Sequence, residues 1–310
     1  MSLHLHMHHF KTVSMPLGMV VGAMFCRPIA ALETWSGGMI TPSLIFFMLF
    51  FTFCRVDVRR MRLQPIHFWL LAAQLLFSIA VYGILHPFNE VVAQGGMICV
   101  LTPIAMAAVV IGGMLGADVV TMATFSLLCN MVIALVAPFF LSLVGNGECS
   151  LGLILARVAP LLILPFAAAQ ACRAALPRVS GWVAEHSQIS FYMWLVSLAV
   201  IIGRTTTFIL DHQEADGRVE TALAVAALVI CLLQFGAGRW IGRRYGDAVA
   251  GGQSLGQKNT VLAVWMSQAF MDPISSVAPT AYIVWQNFVN SYQIYRKDKE
   301  KEREKVSVRK

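Results

Sequence analysis

Gly251–Asp272, GGQSLGQKNTVLAVWMSQAFMD, stands apart from the long apolar segments around it. It opens with Gly251, Gly252, Gln253 and Ser254, continues through Gly256, Gln257, Lys258 and Asn259, and only then turns apolar. Each glycine in a helix interior costs about 1 kcal/mol against alanine, so this spacing predicts a weak helix. A lysine at membrane depth costs roughly 2.5–3.5 kcal/mol on insertion scales. A cluster so costly to place in lipid is expected to line a cavity, as one half of a transport site.

The membrane setting follows from composition. Of 310 residues, 58% are hydrophobic and 13% charged, with a mean hydropathy of +0.70. Soluble domains carry about 25% charge. Spanning β-barrels alternate polarity along each strand, whereas these runs are continuously apolar, so the spans are expected to be helices. The cysteines (Cys26, Cys54, Cys99, Cys129, Cys149, Cys172 and Cys231) form no CxxC pair and read as small apolar packers. Residues 1–14, MSLHLHMHHFKTVS, lack the apolar core of a cleaved signal, so the first span is expected to act as its own insertion signal. His4, His6, His8 and His9 read as a disordered, tag-like terminus rather than a metal site.

The apolar runs give ten expected spans: residues 15–32, 38–54, 65–86, 95–115, 118–144, 150–172, 188–210, 219–241, 248–270 and 273–295. Pro65 and Pro273 suit the first turn of a helix. With the N-terminus inside, the inner segments carry Lys11, Arg55, Arg59, Arg60, Arg62, Arg173, Arg178, Arg239, Arg243, Arg244 and the basic residues from Arg296 to Lys310. The outer loops carry only Arg218, while Arg27, Arg157, Arg204 and Lys258 fall within spans. This asymmetry predicts a multi-pass protein of the cytoplasmic membrane with both termini cytoplasmic. The end of the chain, residues 297–310, reads as a charged, solvated cytoplasmic tail.

Ten spans divide into two five-helix halves, 1–145 and 146–296, joined near Asn146–Glu148, and an odd number per half makes them inverted repeats. The fourth span of the first half holds Thr102-Pro103, and proline removes a backbone donor and clashes with the preceding turn. The fourth span of the second half is the Gly251–Asp272 stretch. Breakers in corresponding spans point to a midplane site between crossed, broken helices.

Four pieces then resemble the bile acid:sodium symporter superfamily, which also contains arsenite carriers. They are the Arg-rich junction MLFFTFCRVDVRRMRLQPIHFWL, Gln74 in LLAAQLL, the proline-bearing TPIAMAAVVIGGMLGADV, and SLGQKN at Ser254–Asn259, which is similar to the family's E-x-G-x-Q-N motif. The resemblance implies a core domain over about 65–144 and 219–295, and a panel domain over about 15–54 and 150–210. It also exposes departures. The family's sodium-binding glutamate aligns with Ser254, its following glutamine with Lys258, and its fourth-span Ser-Asn pair with Ala108 and Val109. Losing a carboxylate and two further oxygens while gaining an ammonium should abolish a sodium site. The expectation is that Lys258 supplies the charge that sodium supplies in relatives, held by unwound carbonyls and half-helix C-termini. Burial favours the neutral amine, which offers proton coupling through Lys258.

Other residues carry two readings each. Gln257 and Asn259 are polar packing or substrate contacts, and Ser254 contacts substrate or fills space. Arg157 faces an outer vestibule and attracts an anion, or it snorkels or pairs between helices. Gln74 and Asn130 are expected to hydrogen-bond between helices. Arg27 and Arg204 read as interface anchors, as do Trp35, Trp182, Trp240 and Tyr295. Asp272 reads as a cap beside Pro273. HExxH, GxSxG, Walker and paired-acid motifs are missing, so an enzyme is disfavoured, and no cofactor or nucleic-acid partner is expected. The leading expectation is an alternating-access carrier of a small organic anion in the lipid bilayer, not coupled to sodium. The alternative is a non-transporting sensor or partner subunit on a degenerate carrier fold.

Overall fold

The computed structural model describes residues 17–56, 58–105, 107–145, 150–186, 188–211 and 217–308. The histidine-rich terminus and the Asn146–Glu148 junction lie outside them. Among the described residues fourteen helices follow in order: α1 (Leu17–Met24), α2 (Cys26–Trp35), α3 (Ile40–Cys54), α4 (Pro65–Leu85), α5 (Glu90–Leu101), α6 (Ala107–Leu115), α7 (Val119–Val144), α8 (Leu151–Ala175), α9 (Pro177–Glu185), α10 (Gln188–Asp211), α11 (Arg218–Arg244), α12 (Ala248–Gly256), α13 (Thr260–Phe270) and α14 (Val277–Val308). Two 3₁₀ turns, Val58–Arg60 and Pro273–Ser276, complete the set.

The helices α4, α7, α8, α10 and α11 are long and apolar enough to cross a membrane, and α1 with α2 makes a sixth candidate as one bent pair. The chain is thus an all-α, multi-pass membrane protein. Several expectations need correcting. The first span is not one rod, since α1 and α2 meet at a 77° bend. The amphipathic α9, which buries Ser180 and Val183, lies where only a loop was expected. No expectation was made for the conformation of the charged tail; α14 continues through it to Val308, helped by an i,i+4 pair between Arg296 and Glu300.

The chain forms two compact units. Unit 1 comprises residues 1–57, 134–220 and 261–277, with α3 packed on α8 and α9, and α10 on α2 and α3. Arg27 pairs with Asp211 at 2.7 Å on its surface. Arg204 is no interface anchor, because it turns inward to the buried Glu33 at 3.3 Å. Asp272 caps the 3₁₀ turn through Oδ1, 2.9 Å from the Ile274 N–H.

Unit 2 comprises residues 58–133, 221–260 and 278–310. Local chemistry starts its helices. The Gln64 N–H donates to His67 Nδ1 at 3.0 Å, which leaves Nε2–H to donate to the Thr121 carbonyl at 3.1 Å. Asn89 caps α5 and Asp247 caps α12. The Asp118 N–H donates to Asp247 Oδ2 at 2.7 Å, tying the α6–α7 turn to the start of α12.

The glycines of α12 do not break it. Gly251, Gly252 and Gly256 are helical, and the interruption comes afterwards, at Gln257–Asn259. These glycines serve contact with α11. A Cβ on Gly251 would overlap the Gly238 carbonyl, one on Gly252 the Arg239 side chain, and one on Gly256 the Phe235 ring. Gly112 is likewise helical, in α6, with Met122 filling the space a Cβ would need.

Two predictions follow from unit 2. Gly251→Ala should lower stability by about 1–3 kcal/mol through overpacking, whereas Gly236→Ala, with open space at its Cβ, should be neutral or slightly stabilising. Thermal unfolding of the detergent-purified variants checks this. The Thr121 hydroxyl, helped by the Val120 and Thr121 N–H groups, holds the Asp118 carboxyl below its ordinary 3.8. The stability it contributes is present above that value and is lost as pH falls through the lowered folded one. Wild type should therefore exceed Asp118→Asn in stability at neutral pH, and the gap should close on acidification in the same assay.

Candidate functional site

The site begins with a proline. Pro103 has no N–H for the Cys99 carbonyl, and it pushes Thr102 to φ −56°, ψ 140°, which ends α5. The described part of the break runs over Thr102–Ala105, and α6 begins at Ala107. Beyond Gly256, Gln257 adopts φ −95°, ψ 105°, and α13 resumes at Thr260. The two extended pieces pair as an isolated antiparallel bridge, Ile104 to Lys258. The Asn259 N–H donates to the Pro103 carbonyl at 2.9 Å, and the Ala105 N–H to the Gln257 carbonyl at 3.0 Å.

A helix end leaves carbonyls without partners, and burying one unpaired costs about 1–3 kcal/mol. At the end of α5 each receives a donor. The Ile98 carbonyl takes the Thr102 hydroxyl at 2.5 Å and its N–H at 3.1 Å. Cys99 is capped by Gln234 Nε2 at 3.3 Å. Val100 is capped by Lys258 Nζ at 2.8 Å. Leu101 and Thr102 share Gln74 Nε2, at 2.9 and 3.1 Å. Lys258 thus lies against the negative end of a half-helix, where a cation is favoured, and it is only 1% exposed.

The second break is supported from α14. The Tyr282 hydroxyl donates to the Gly256 carbonyl at 2.8 Å and accepts from Gln234 Nε2 at 2.9 Å. The Lys258 N–H donates to Gln286 Oε1 at 2.9 Å. Asn290 Nδ2 donates to Gln257 Oε1, and Gln253 Nε2 donates to Asn290 Oδ1 at 3.0 Å and to Gln293 Oε1 at 3.3 Å. Arg239 Nη2 reaches the same Gln293 oxygen at 3.1 Å.

Of the residues singled out from sequence, Lys258, Gln257, Asn259, Thr102, Pro103 and Gln74 meet in this one network of unit 2. Gln74 makes the helix-to-helix bonds expected of it and also accepts from the Cys129 thiol at 3.4 Å. Ser254 is buried one turn before the break. Asn130 does not bond between helices through its amide nitrogen: Nδ2 donates to Ser126 of its own helix at 2.8 Å, and its buried Oδ1 lacks a hydrogen-bond partner. Arg157 is exposed on α8 and belongs to unit 1, not to the network of unit 2.

Sequence reasoning missed Gln234, Gln253, Tyr282, Gln286, Asn290 and Gln293. The signal was present in α14, where Tyr282, Gln286, Asn290 and Gln293 recur every three or four residues and so share one face. Two buried acceptors of the network, Gln234 Oε1 and Gln253 Oε1, have no hydrogen-bond partner. The arrangement can therefore hold one fixed amine against helix-end carbonyls and offer two further oxygens to a donor. Among the described residues, no group of three His, Cys, Asp or Glu could hold a metal.

Unit 2 also has a polar pocket of about 650 Å³, lined by Gln64, Asp118, Thr121, Tyr245, Asp247 and Lys297 among others. No residue of either break lines it.

In comparison with known proteins, no family model matches the chain and no curated protein matches it significantly.

Gln74→Leu would strip the donor from the Leu101 and Thr102 carbonyls. The expected loss is about 2–4 kcal/mol of stability, larger than for Gln74→Asn, which keeps an amide. Thermal unfolding of the two purified variants distinguishes them.

Proposed function

We propose that the protein is a secondary transporter of a small organic anion, working by alternating access and without sodium coupling. The observation that carries this is the 2.8 Å bond from Lys258 Nζ to the Val100 carbonyl, beside the Ile104–Lys258 bridge. Two helices broken at one another's breaks present half-helix ends to a buried site, the arrangement carriers use near the bilayer midplane. Here a tethered amine occupies the position that favours a cation, and its charge would favour an anionic substrate. The reading places ten spans in two inverted halves, with α5–α6 and α12–α13 as the corresponding broken members. It likewise keeps likeness to the bile acid:sodium symporter superfamily as a proposal resting on the quoted motifs.

The topology fits this reading. Gln64, Leu115–Asp118, Tyr245–Val249 and Lys297 belong to segments that charge assigns to the cytoplasmic side, and they line one pocket. Both termini would then face the cytoplasm. A non-transporting sensor is favoured by a different observation: Thr102, Gln257 and Lys258 are all at most 3% exposed, as in a purely structural core.

The test is uptake of bile-acid-like and smaller carboxylate anions into proteoliposomes. Lys258→Ala should reduce it about tenfold or more, as expected for an intramembrane ionisable residue in the path. Uptake should be unchanged when sodium is replaced by choline, and should vary with pH if Lys258 releases a proton in the cycle. A sodium requirement, or full uptake by Lys258→Ala, overturns the proposal. Thermal stabilisation by an anion without uptake would select the sensor.

A further inference from the structure

The short helix α9 of unit 1 keeps an apolar side exposed. Its Ser180 and Val183 turn inward, where α9 packs on α3 and α8. Next to that buried side stand Leu176, Val179 and Trp182, which are 56%, 47% and 51% exposed. The His186 ring stacks on Trp182 with 4.3 Å between centroids, and its Nδ1–H donates to the Trp182 carbonyl at 2.8 Å, so the indole is braced in place. The depth of α9 follows from its neighbours. The spanning helix α8 carries Arg173 in its last turn, and Arg173 Nη1 donates to the Val56 carbonyl at 2.8 Å, just past the end of α3. Only Leu176 separates α8 from α9, and the buried Ser180 lies against Cys54, the last residue of α3. The ends of α3 and α8 and the middle of α9 are therefore level, at the depth where a spanning helix leaves the bilayer.

Two arginines flank that meeting point. Arg55 directly follows Cys54, and Arg178 lies in the first turn of α9. Both are exposed, and among the described residues neither forms an ion pair with an acid. The acid of α9 itself, Glu185, stands two turns from Arg178 at the other end of the helix. We propose that α9 lies in the plane of the membrane surface and docks an anionic phospholipid, with Leu176, Val179 and Trp182 against the acyl chains and Arg55 and Arg178 against the phosphate.

The chemistry selects a lipid over other anions. A free phosphate would engage the two guanidinium groups and leave the apolar strip in water, whereas a phospholipid covers both. Tryptophan beside aliphatic side chains with arginine at the edge is the composition of helices that lie in the interface. A zwitterionic headgroup would bring a cation to the arginines along with its phosphate, so an anionic headgroup is the better match. The Lys and Arg bias assigns these helix ends to the cytoplasmic side, where anionic lipids attract basic residues.

The surface is independent of the transport proposal, and its test needs no transported substrate. The full-length protein is reconstituted in phosphatidylcholine vesicles doped with brominated phosphatidylglycerol or brominated phosphatidylcholine, and tryptophan emission is recorded. The difference between wild type and Trp182→Phe isolates the Trp182 component. That component should be quenched by bromine near the headgroup end of the acyl chain and spared by aqueous iodide. Brominated phosphatidylglycerol should quench it at a lower mole fraction than brominated phosphatidylcholine, by about fivefold for each arginine engaged. In Arg55→Gln/Arg178→Gln the two lipids should become equal. Equal quenching by both lipids in wild type overturns the proposal, as does an unchanged preference in the double variant. Quenching by iodide but not by the brominated lipids overturns it in favour of a soluble partner, and loss of the preference in millimolar glycerol phosphate overturns it in favour of a free phosphate. Native mass spectrometry of lipid retention, wild type against the double variant, makes the same comparison without Trp182→Phe.

Discussion

A carbonyl freed inside an apolar core must find a donor, and unit 2 is organised around that requirement. Pro103 frees the carbonyls at the end of α5. Three separate elements answer: Gln74 from α4, Gln234 from α11, and the second break, which gives the Lys258 amine and, for Pro103 itself, the Asn259 N–H. Lys258 is thus bound into the architecture as a helix cap as well as being a charge. The two roles are not separable by geometry, because the same carbonyl that completes its hydrogen bonding also supplies the negative end of the half-helix.

The second break is held differently. No proline marks it. Its free N–H groups are drawn away by Gln286 and by the Pro103 carbonyl, and its last helical carbonyl is closed by the Tyr282 hydroxyl. The first break is therefore set by covalent structure and the second by partners. This explains the unequal clarity of the two in the sequence. Thr102-Pro103 can be recognised alone, whereas Gln257–Asn259 becomes a break only when Gln286 and Tyr282 are in place.

That difference also explains what could be read beforehand. The helical class, the positions of the five long apolar helices and the polar cluster around Lys258 follow from hydropathy and from the cost of burying an amine. The role of Gly251, Gly252 and Gly256 does not, because a glycine that weakens an isolated helix can instead permit contact, and the partners Gly238 and Phe235 lie on another helix. The polar face of α14 was hidden by treating that segment only as a span. Arg204 looked like an anchor near a span end; its partner Glu33 lies 171 residues earlier, beyond the reach of any local pattern. The 77° bend between α1 and α2 did have a local signal, Pro28, which has no N–H for the Met24 carbonyl where α1 ends.

The glycine contact between α11 and α12 has a mechanical consequence. At Gly251 and Gly238 the two backbones meet directly, closer than any pair of side chains would permit, so a methyl group added to either would wedge the helices apart. Between α12 and the Lys258 amine lie only the backbone dihedrals of Gln257 and Lys258 and the lysine's own rotamers, so any change in the amine's place relative to α12 is confined to those few torsions.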